Sequence, residues 1–319
     1  MTGREGDVIL EVKSLSKSFR RNSRQAVRAV ENVSFSIYRG EFFGIVGESG
    51  CGKSTLGRLI PRLIEPSGGQ VFFNGEEVTA ASRKRLSRLR PLMQMIFQNP
   101  FASFDPKMTL GSSLREAALF HGLPRKAAQA RILELLGLIN LSADVLSRLP
   151  KEISGGQLQR LAIVRALIPS PPFIIADEPV SALDVSVQAQ LLNLLYDLKE
   201  RLDLTVIFIS HDIQVVEYLC DRTAVMYMGS MVEIAGAEEL FDRPLHPYTR
   251  ALISAAPRLE TGGGKRELLG GDPPSPFDDI PGCRFSPRCP RRGEACLKAR
   301  PVLAEGGDGH SVACHFPLP

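Results

Sequence analysis

With 319 residues, 44% hydrophobic and 23% charged side chains, and a net charge of +4, the chain has the balance of a globular protein with a substantial core. No apolar run approaches the roughly 18 residues that a membrane-spanning helix needs. The opening MTGREGDVILEVK mixes charges of both signs without an apolar segment before a small-residue cleavage site, which argues against a secretory leader and for a protein kept in the cytosol.

Val8 to Val12 is apolar-rich and Val33 to Tyr38 alternates, so both predict strands. Glu41-Phe-Phe-Gly-Ile-Val-Gly is a short buried run that ends in glycine. A helix is expected from near Gly52, with Leu56, Leu59 and Ile60 on one face and a kink or stop at Pro61. Gln70-Val-Phe-Phe, Asn74-Gly75 and Glu-Glu-Val spell a hairpin with a favoured two-residue turn. The basic run from Ser82 to Arg90 has no interleaved stacking aromatics, so it reads as a solvated helix face and no nucleic-acid partner is expected. Met93 to Phe97 predicts another buried strand. From about Asn99 to Leu167 the pattern turns helical, over 110–120, 125–136 and 155–167. Strands then return at Phe173–Ala176, Thr205–Ile209 and Ala224–Tyr227, with an amphipathic helix over Val185–Leu202 between the first two. This is a mainly parallel α/β core interrupted by a helical insertion. After Pro257, Gly262-Gly-Gly and Asp272-Pro-Pro-Ser-Pro mark a linker into a small appended module.

The chemistry begins at Gly47-Glu48-Ser49-Gly50-Cys51-Gly52-Lys53-Ser54, followed by Thr55, which matches the phosphate-loop pattern between a buried strand and a helix. Glycines let the backbone curl so that its N–H groups point at phosphate oxygens, and the helix start adds partial positive charge. In that setting Lys53 bridges the β- and γ-phosphates and Ser54 ligates Mg²⁺, while Cys51 is a tolerated small residue. Asp177 and Glu178 end a buried strand. Adjacent carboxylates there are costly unless they face a cation or a reacting water, so Asp177 suits the outer Mg²⁺ shell and Glu178 the activation of water.

Between these motifs, Ile153-Ser154-Gly155-Gly156-Gln157 closely resembles the signature of ABC ATPases, with Ile153 in place of the usual leucine and in the same buried contact. Ser154 is a good N-cap, and the two glycines bare the first-turn N–H groups as a second anion site. The resemblance spans roughly residues 8 to 257. It implies that two chains pair head to tail, each signature completing the other's nucleotide site. By the same resemblance, Gln98 senses the γ-phosphate beside Mg²⁺, the segment from Ser181 to Asp184 passes signals across the dimer, His211 contacts the γ-phosphate, and Phe19 stacks on adenine.

The implied fold is a phosphate-loop, RecA-like ABC ATPase domain over 8–257, with core 8–98 and 170–257 and a helical signature subdomain over 99–169. An extension over 258–319 follows. His246-Pro-Tyr-Thr-Arg-Ala-Leu and the tail bearing Cys283, Cys289, Cys296 and Cys314 resemble the ATPases of oligopeptide and dipeptide importers, in which the four cysteines are associated with a [4Fe–4S] cluster. By ligand count four thiolates hold zinc equally well, although gaps of five, six and seventeen residues are wider than the tight pairs of zinc fingers. His310 and His315 are spare candidate ligands. The resemblance further implies two transmembrane permeases, a second ATPase chain that is the same or related, an extracytoplasmic peptide-binding protein, and a place on the cytoplasmic face of the inner membrane. Import of nickel or another small solute, and a soluble non-transport ABC ATPase, are the competing readings.

Overall fold

The computed structural model describes residues 7–20, 26–181, 183–256, 274–275, 278, 280–307 and 309–319. The linker expected at 262–264 and most of 272–276 lies outside the described residues.

The chain forms two compact units, Met1–Ala80 with Ser210–Pro319, and Ala81–Ile209. In chain order the first segment contributes β1 (Val8–Arg20), β2 (Ala26–Tyr38), β3 (Phe42–Val46), α1 (Lys53–Leu59), β4 (Gly68–Phe73) and β5 (Glu76–Glu77). The second unit runs α2 (Arg83–Leu89), β6 (Met93–Ile96), α3 (Leu110–Phe120), α4 (Arg125–Leu138), α5 (Gly155–Leu167), β7 (Phe173–Asp177), α6 (Val185–Leu202) and β8 (Thr205–Ile209). The chain then returns to the first unit as α7 (Ile213–Leu219), β9 (Arg222–Tyr227), β10 (Ser230–Gly236), α8 (Ala237–Asp242), α9 (Pro247–Ala255), α10 (Glu294–Lys298), β11 (Ala304–Glu305) and β12 (Ser311–Val312).

In the first unit, β2, β1, β4 and β5 form an antiparallel sheet in that order. The β4–β5 turn carries Asn74 at φ 49, as its Asn-Gly sequence demands. A second set of strands has β3 parallel to β9, then β10 antiparallel to β9, with the tail strands β12 and β11 extending it. In the second unit β6, β7 and β8 are all parallel. Strands β3, β7 and β8 are buried at every position, which is why they read as unbroken apolar runs rather than alternating ones. Helix α1 ends at Leu59, just ahead of Pro61, as expected from a residue that cannot donate to the helix. Helix α2 buries Leu86 and Leu89 and turns its basic residues outward, in line with a solvated face.

Besides the β10–β12 pairing, three groups of contacts are among those that dock the tail on the rest of the first unit. Phe285 enters an aromatic cluster with ring-centroid distances of 5.4 Å to Tyr227, 5.5 Å to Tyr248 and 5.7 Å to His246. Burying a phenylalanine of this kind contributes about 1.5–3 kcal/mol. Arg284 and Arg300 both pair with Glu31 of β2. The third contact is deeper. Glu233 of β10 is fully buried, accepts the N–H groups of Leu245 and His246, and meets His310 Nε2 at 2.7 Å. Burial opposes protonation of His310, but hydrogen bonds to Glu233 and Glu239 and their charges outweigh it and hold its pKa above the ordinary histidine value.

Candidate functional site

The phosphate loop joins β3 to α1 within the first unit. Cys51 N–H donates to the Glu48 carbonyl at 3.2 Å, and the Cys51 carbonyl accepts the Gly229 N–H at 2.7 Å. Gly52 has φ +109, and a Cβ there would lie 2.0 Å from the Ala29 carbonyl oxygen, so only glycine fits. The Lys53 ammonium, on a residue 4% exposed, donates to the carbonyls of Gly47 at 2.7 Å and Glu48 at 3.1 Å. Burial raises the Cys51 thiol above its ordinary pKa, so Cys51 acts as an apolar filler. Ser54 and Thr55 stand in the first turn of α1.

Two contacts on Glu48 escaped the reading of the sequence. The Tyr248 hydroxyl accepts the Glu48 N–H at 3.0 Å, and the Arg288 guanidinium grips the Glu48 carboxylate through both of its oxygens. Tyr248 is placed by α9, whose N-cap is His246, with Nδ1 accepting the Tyr248 N–H at 3.0 Å. Burial lowers the His246 pKa to about 4, so the ring is a neutral cap at physiological pH.

Also in the first unit, Phe19 lies within β1 opposite Val27 rather than after the strand. Its ring is 44% exposed, with the Lys17 ammonium 5.1 Å from the centroid. His211 is exposed between Ser210 and Asp212, which caps α7 by accepting the Gln214 N–H.

The second unit gathers the acids. Asp177 ends β7 and is 1% exposed. Glu178 follows at φ +47, a left-handed conformation that costs a non-glycine residue about 1–2 kcal/mol, and its N–H donates to the Ile209 carbonyl at 3.0 Å. Because β6 ends at Ile96, Gln98 sits beyond the strand, where its amide Nε2 donates to Glu178 Oε2 at 2.9 Å and to Ser181 Oγ at 3.4 Å. Ser181 Oγ donates in turn to the Glu178 carbonyl at 3.1 Å. Gln98, Glu178 and Ser181 are therefore one hydrogen-bonded cluster. The signal for Ser181 was its position three residues after Glu178, the reach of a serine hydroxyl back to a preceding carbonyl.

The signature segment forms a full capping box. Ser154 Oγ accepts the Gln157 N–H at 3.3 Å, and Gln157 Oε1 accepts the Ser154 N–H at 3.2 Å. A Cβ on Gly156 would stand 2.6 Å from Val187 Cγ1, so glycine here lets the start of α5 press against α6. Gly155 lies beside it, and Ile153 is half-buried rather than buried. The Asp184 carbonyl accepts the N–H groups of Val187 and Gln188 to start α6. Ala182, inside the Ser181–Asp184 segment, lies outside the described residues.

In the tail, Cys296 is buried and Cys283, Cys289 and Cys314 are half-buried. Burial pushes the Cys283 thiol up to about 11, and Cys296, Cys314 and Cys289 push it in the same direction as electrostatic neighbours. Burial likewise raises Cys289 and Cys314, each with Cys296 as a neighbour. The donor chemistry suits a soft metal and the four thiols share one neighbourhood. Among the described residues, however, no three cysteine, histidine or carboxylate groups close around a single ion. The two candidate spare ligands are engaged elsewhere, His310 with Glu233 and His315 with the Ala299 carbonyl at 2.9 Å.

Residues 30–181 match the family described as ABC transporter, and residues 232–296 match the oligopeptide/dipeptide transporter C-terminal region. The chain is 49% identical over 308 residues to a putative peptide import ATP-binding protein of Brucella ovis, covering 96% of this chain and 97% of that one. It is 45% identical over 327 residues to the oligopeptide transport ATP-binding protein AppF of Bacillus subtilis, covering 99% of each. Among solved structures it is similar to the dimeric ATP-binding cassette MJ0796 in a post-hydrolysis state bound to ADP and phosphate. That match has a TM-score of 0.65 and 29% identity, over 72% of this chain and 98% of that one.

Proposed function

The chain belongs to the ABC transporter family of ATP-binding proteins, in its peptide-import branch, and hydrolyses ATP to drive transport; we propose that it does so with the residues its motifs single out. The observation that carries the assignment is the cluster of Gln98, Glu178 and Ser181 beside buried Asp177. A strained glutamate held by an amide at the end of a buried strand is an arrangement that folding alone does not reward.

In this reading the N–H groups of residues 47–55 and the Lys53 ammonium hold the triphosphate, and Phe19 stacks on the base. Ser54, Gln98 and Asp177 form the hard oxygen donor set that suits Mg²⁺, which when bound neutralises charge on the phosphoryl oxygens. Glu178 accepts a proton from the attacking water, while Gln98 fixes its carboxylate and His211 holds the γ-phosphate. Ser154, Gly155, Gly156, Gln157 and Asp184 serve the nucleotide of a second ATPase chain, so that closure of the pair moves two permease subunits. The ATPase domain spans 8–257, with its helical part over 99–169. The chain works at the cytoplasmic face of the inner membrane, downstream of an extracytoplasmic peptide-binding protein. Among the described residues no helix is long and apolar enough to cross a membrane. Assembled with its cognate permeases, the protein is expected to cleave ATP faster when peptide-loaded binding protein is added. A complex that neither binds nor cleaves ATP would overturn the reading.

The four tail cysteines are proposed to hold a [4Fe–4S] cluster in the extension over 258–319, with zinc as the alternative that shares their chemistry. Protein purified without oxygen is expected to carry about four iron and four sulfide per chain. Stoichiometric zinc without sulfide would select the alternative, and absence of both would remove the site.

A further inference from the structure

We propose that Arg288, in the cysteine-bearing tail, is a positioning residue for the nucleotide site and acts through Glu48 of the phosphate loop. The proposal rests on the loop being the ATP site. Glu48 occupies a variable position of the loop pattern, where any side chain satisfies the motif. Its carboxylate is nevertheless held in a two-pronged fork, Arg288 Nη1 to Oε2 at 3.0 Å and Nη2 to Oε1 at 3.0 Å. The Arg288 side chain is 6% exposed, and Nη1 also reaches the Tyr227 hydroxyl at 3.5 Å.

The backbone of Glu48 is held as well. Its N–H donates to Tyr248, and its carbonyl accepts from Lys53 and from the Cys51 N–H. A loop that binds phosphate through the direction of its N–H groups depends on how its peptide planes are oriented, and Glu48 supplies two of those planes. Arg288 therefore aims the loop without touching the nucleotide. A planar guanidinium fixes a carboxylate in both direction and roll, whereas a lysine at the same place supplies charge alone. Arg288 is itself placed by Phe285, three residues earlier in the aromatic cluster, whose carbonyl accepts the Arg288 N–H at 3.0 Å.

The test is the ATP dependence of steady-state hydrolysis by the full chain in its assembled complex, for Arg288→Gln, Glu48→Gln, their double variant and Arg288→Lys. Arg284→Gln is the control, since Arg284 also anchors the tail but pairs with Glu31. Arg288→Gln is expected to raise the KM for ATP about 5- to 20-fold while kcat changes by less than about twofold. Glu48→Gln should do the same, the double variant should be no worse than either single, and Arg288→Lys should fall between. Arg284→Gln should lower Tm and leave KM unchanged. An unchanged KM in Arg288→Gln, additive effects in the double variant, or an equal KM shift from Arg284→Gln would each overturn the role. Should Arg288→Gln fail to fold, Glu48→Gln decides alone, because an unchanged KM there leaves nothing for the arginine to act through. Loss of ATP cleavage by the unaltered complex would count against the functional reading instead.

Discussion

Glu178→Gln is expected to bind ATP as tightly as the unaltered chain and to lower steady-state turnover by about 10²- to 10⁴-fold, the range a positioned general base contributes. The substitution is nearly isosteric. Its amide oxygen can still accept the Gln98 Nε2 bond that Glu178 Oε2 accepts at 2.9 Å, so the cluster with Ser181 survives while the proton acceptor is lost. The strained backbone at φ +47 is also retained, because glutamine and glutamate bear the same Cβ. A site that binds but cannot cleave holds its paired chains closed. ATP should therefore drive the variant to a stable dimer on size-exclusion chromatography, where the unaltered chain returns to monomer. Near-normal turnover in a complex whose partner ATPase is silenced would remove Glu178 from the proposed role.

Lys53→Ala acts at the opposite end of the reaction. The ammonium is almost wholly buried and already donates to two loop carbonyls, so it lies along the loop and is positioned for the phosphates rather than swinging in from solvent. A charge-assisted hydrogen bond of this kind is worth about 1.5–3 kcal/mol. Its removal should weaken ATP binding about 10- to 100-fold, as read by titration with a fluorescent nucleotide. The loss should appear in binding before it appears in the chemical step, the reverse of the pattern at Glu178. A Kd within about threefold of the unaltered value would place the triphosphate elsewhere.

The phosphate loop, β3, β7 and β8 were legible because short, fully buried parallel strands and a glycine-rich loop leave a local imprint. Helices α3, α5 and α6 were legible to their ends because Thr109, Ser154 and Asp184 stand as caps ahead of them. The full length of β1 was not. Beyond Val12 its residues include Lys13, Ser14, Ser16, Lys17 and Ser18, and pairing with β2 rather than side-chain pattern carries the strand to Arg20. Phe19 was consequently expected after a strand that in fact contains it. In the candidate site, Gln98 and Glu178 were each named from motifs, but their hydrogen bond joins positions far apart in the chain and has no local signature. The same holds for Arg288 and Glu48, where a basic residue in a proline- and arginine-rich tail gives no hint of a partner near the N-terminus.

The carboxylate of Glu233 bears on how this protein is made. It lies sealed in β10, and its side-chain partner His310 arrives some way along the chain. The Leu318 N–H then reaches the Leu245 carbonyl at 2.8 Å, just ahead of α9. On the ribosome, every nucleotide motif emerges long before either contact can form. Until residues 310–318 have cleared the exit tunnel, that carboxylate lacks His310 and keeps only the N–H groups of Leu245 and His246. A nascent chain stalled after α9 would thus present all its ATP motifs in a half still open to chaperones and proteases. Docking of residues 310–318, rather than completion of the motifs, closes this face of the first unit.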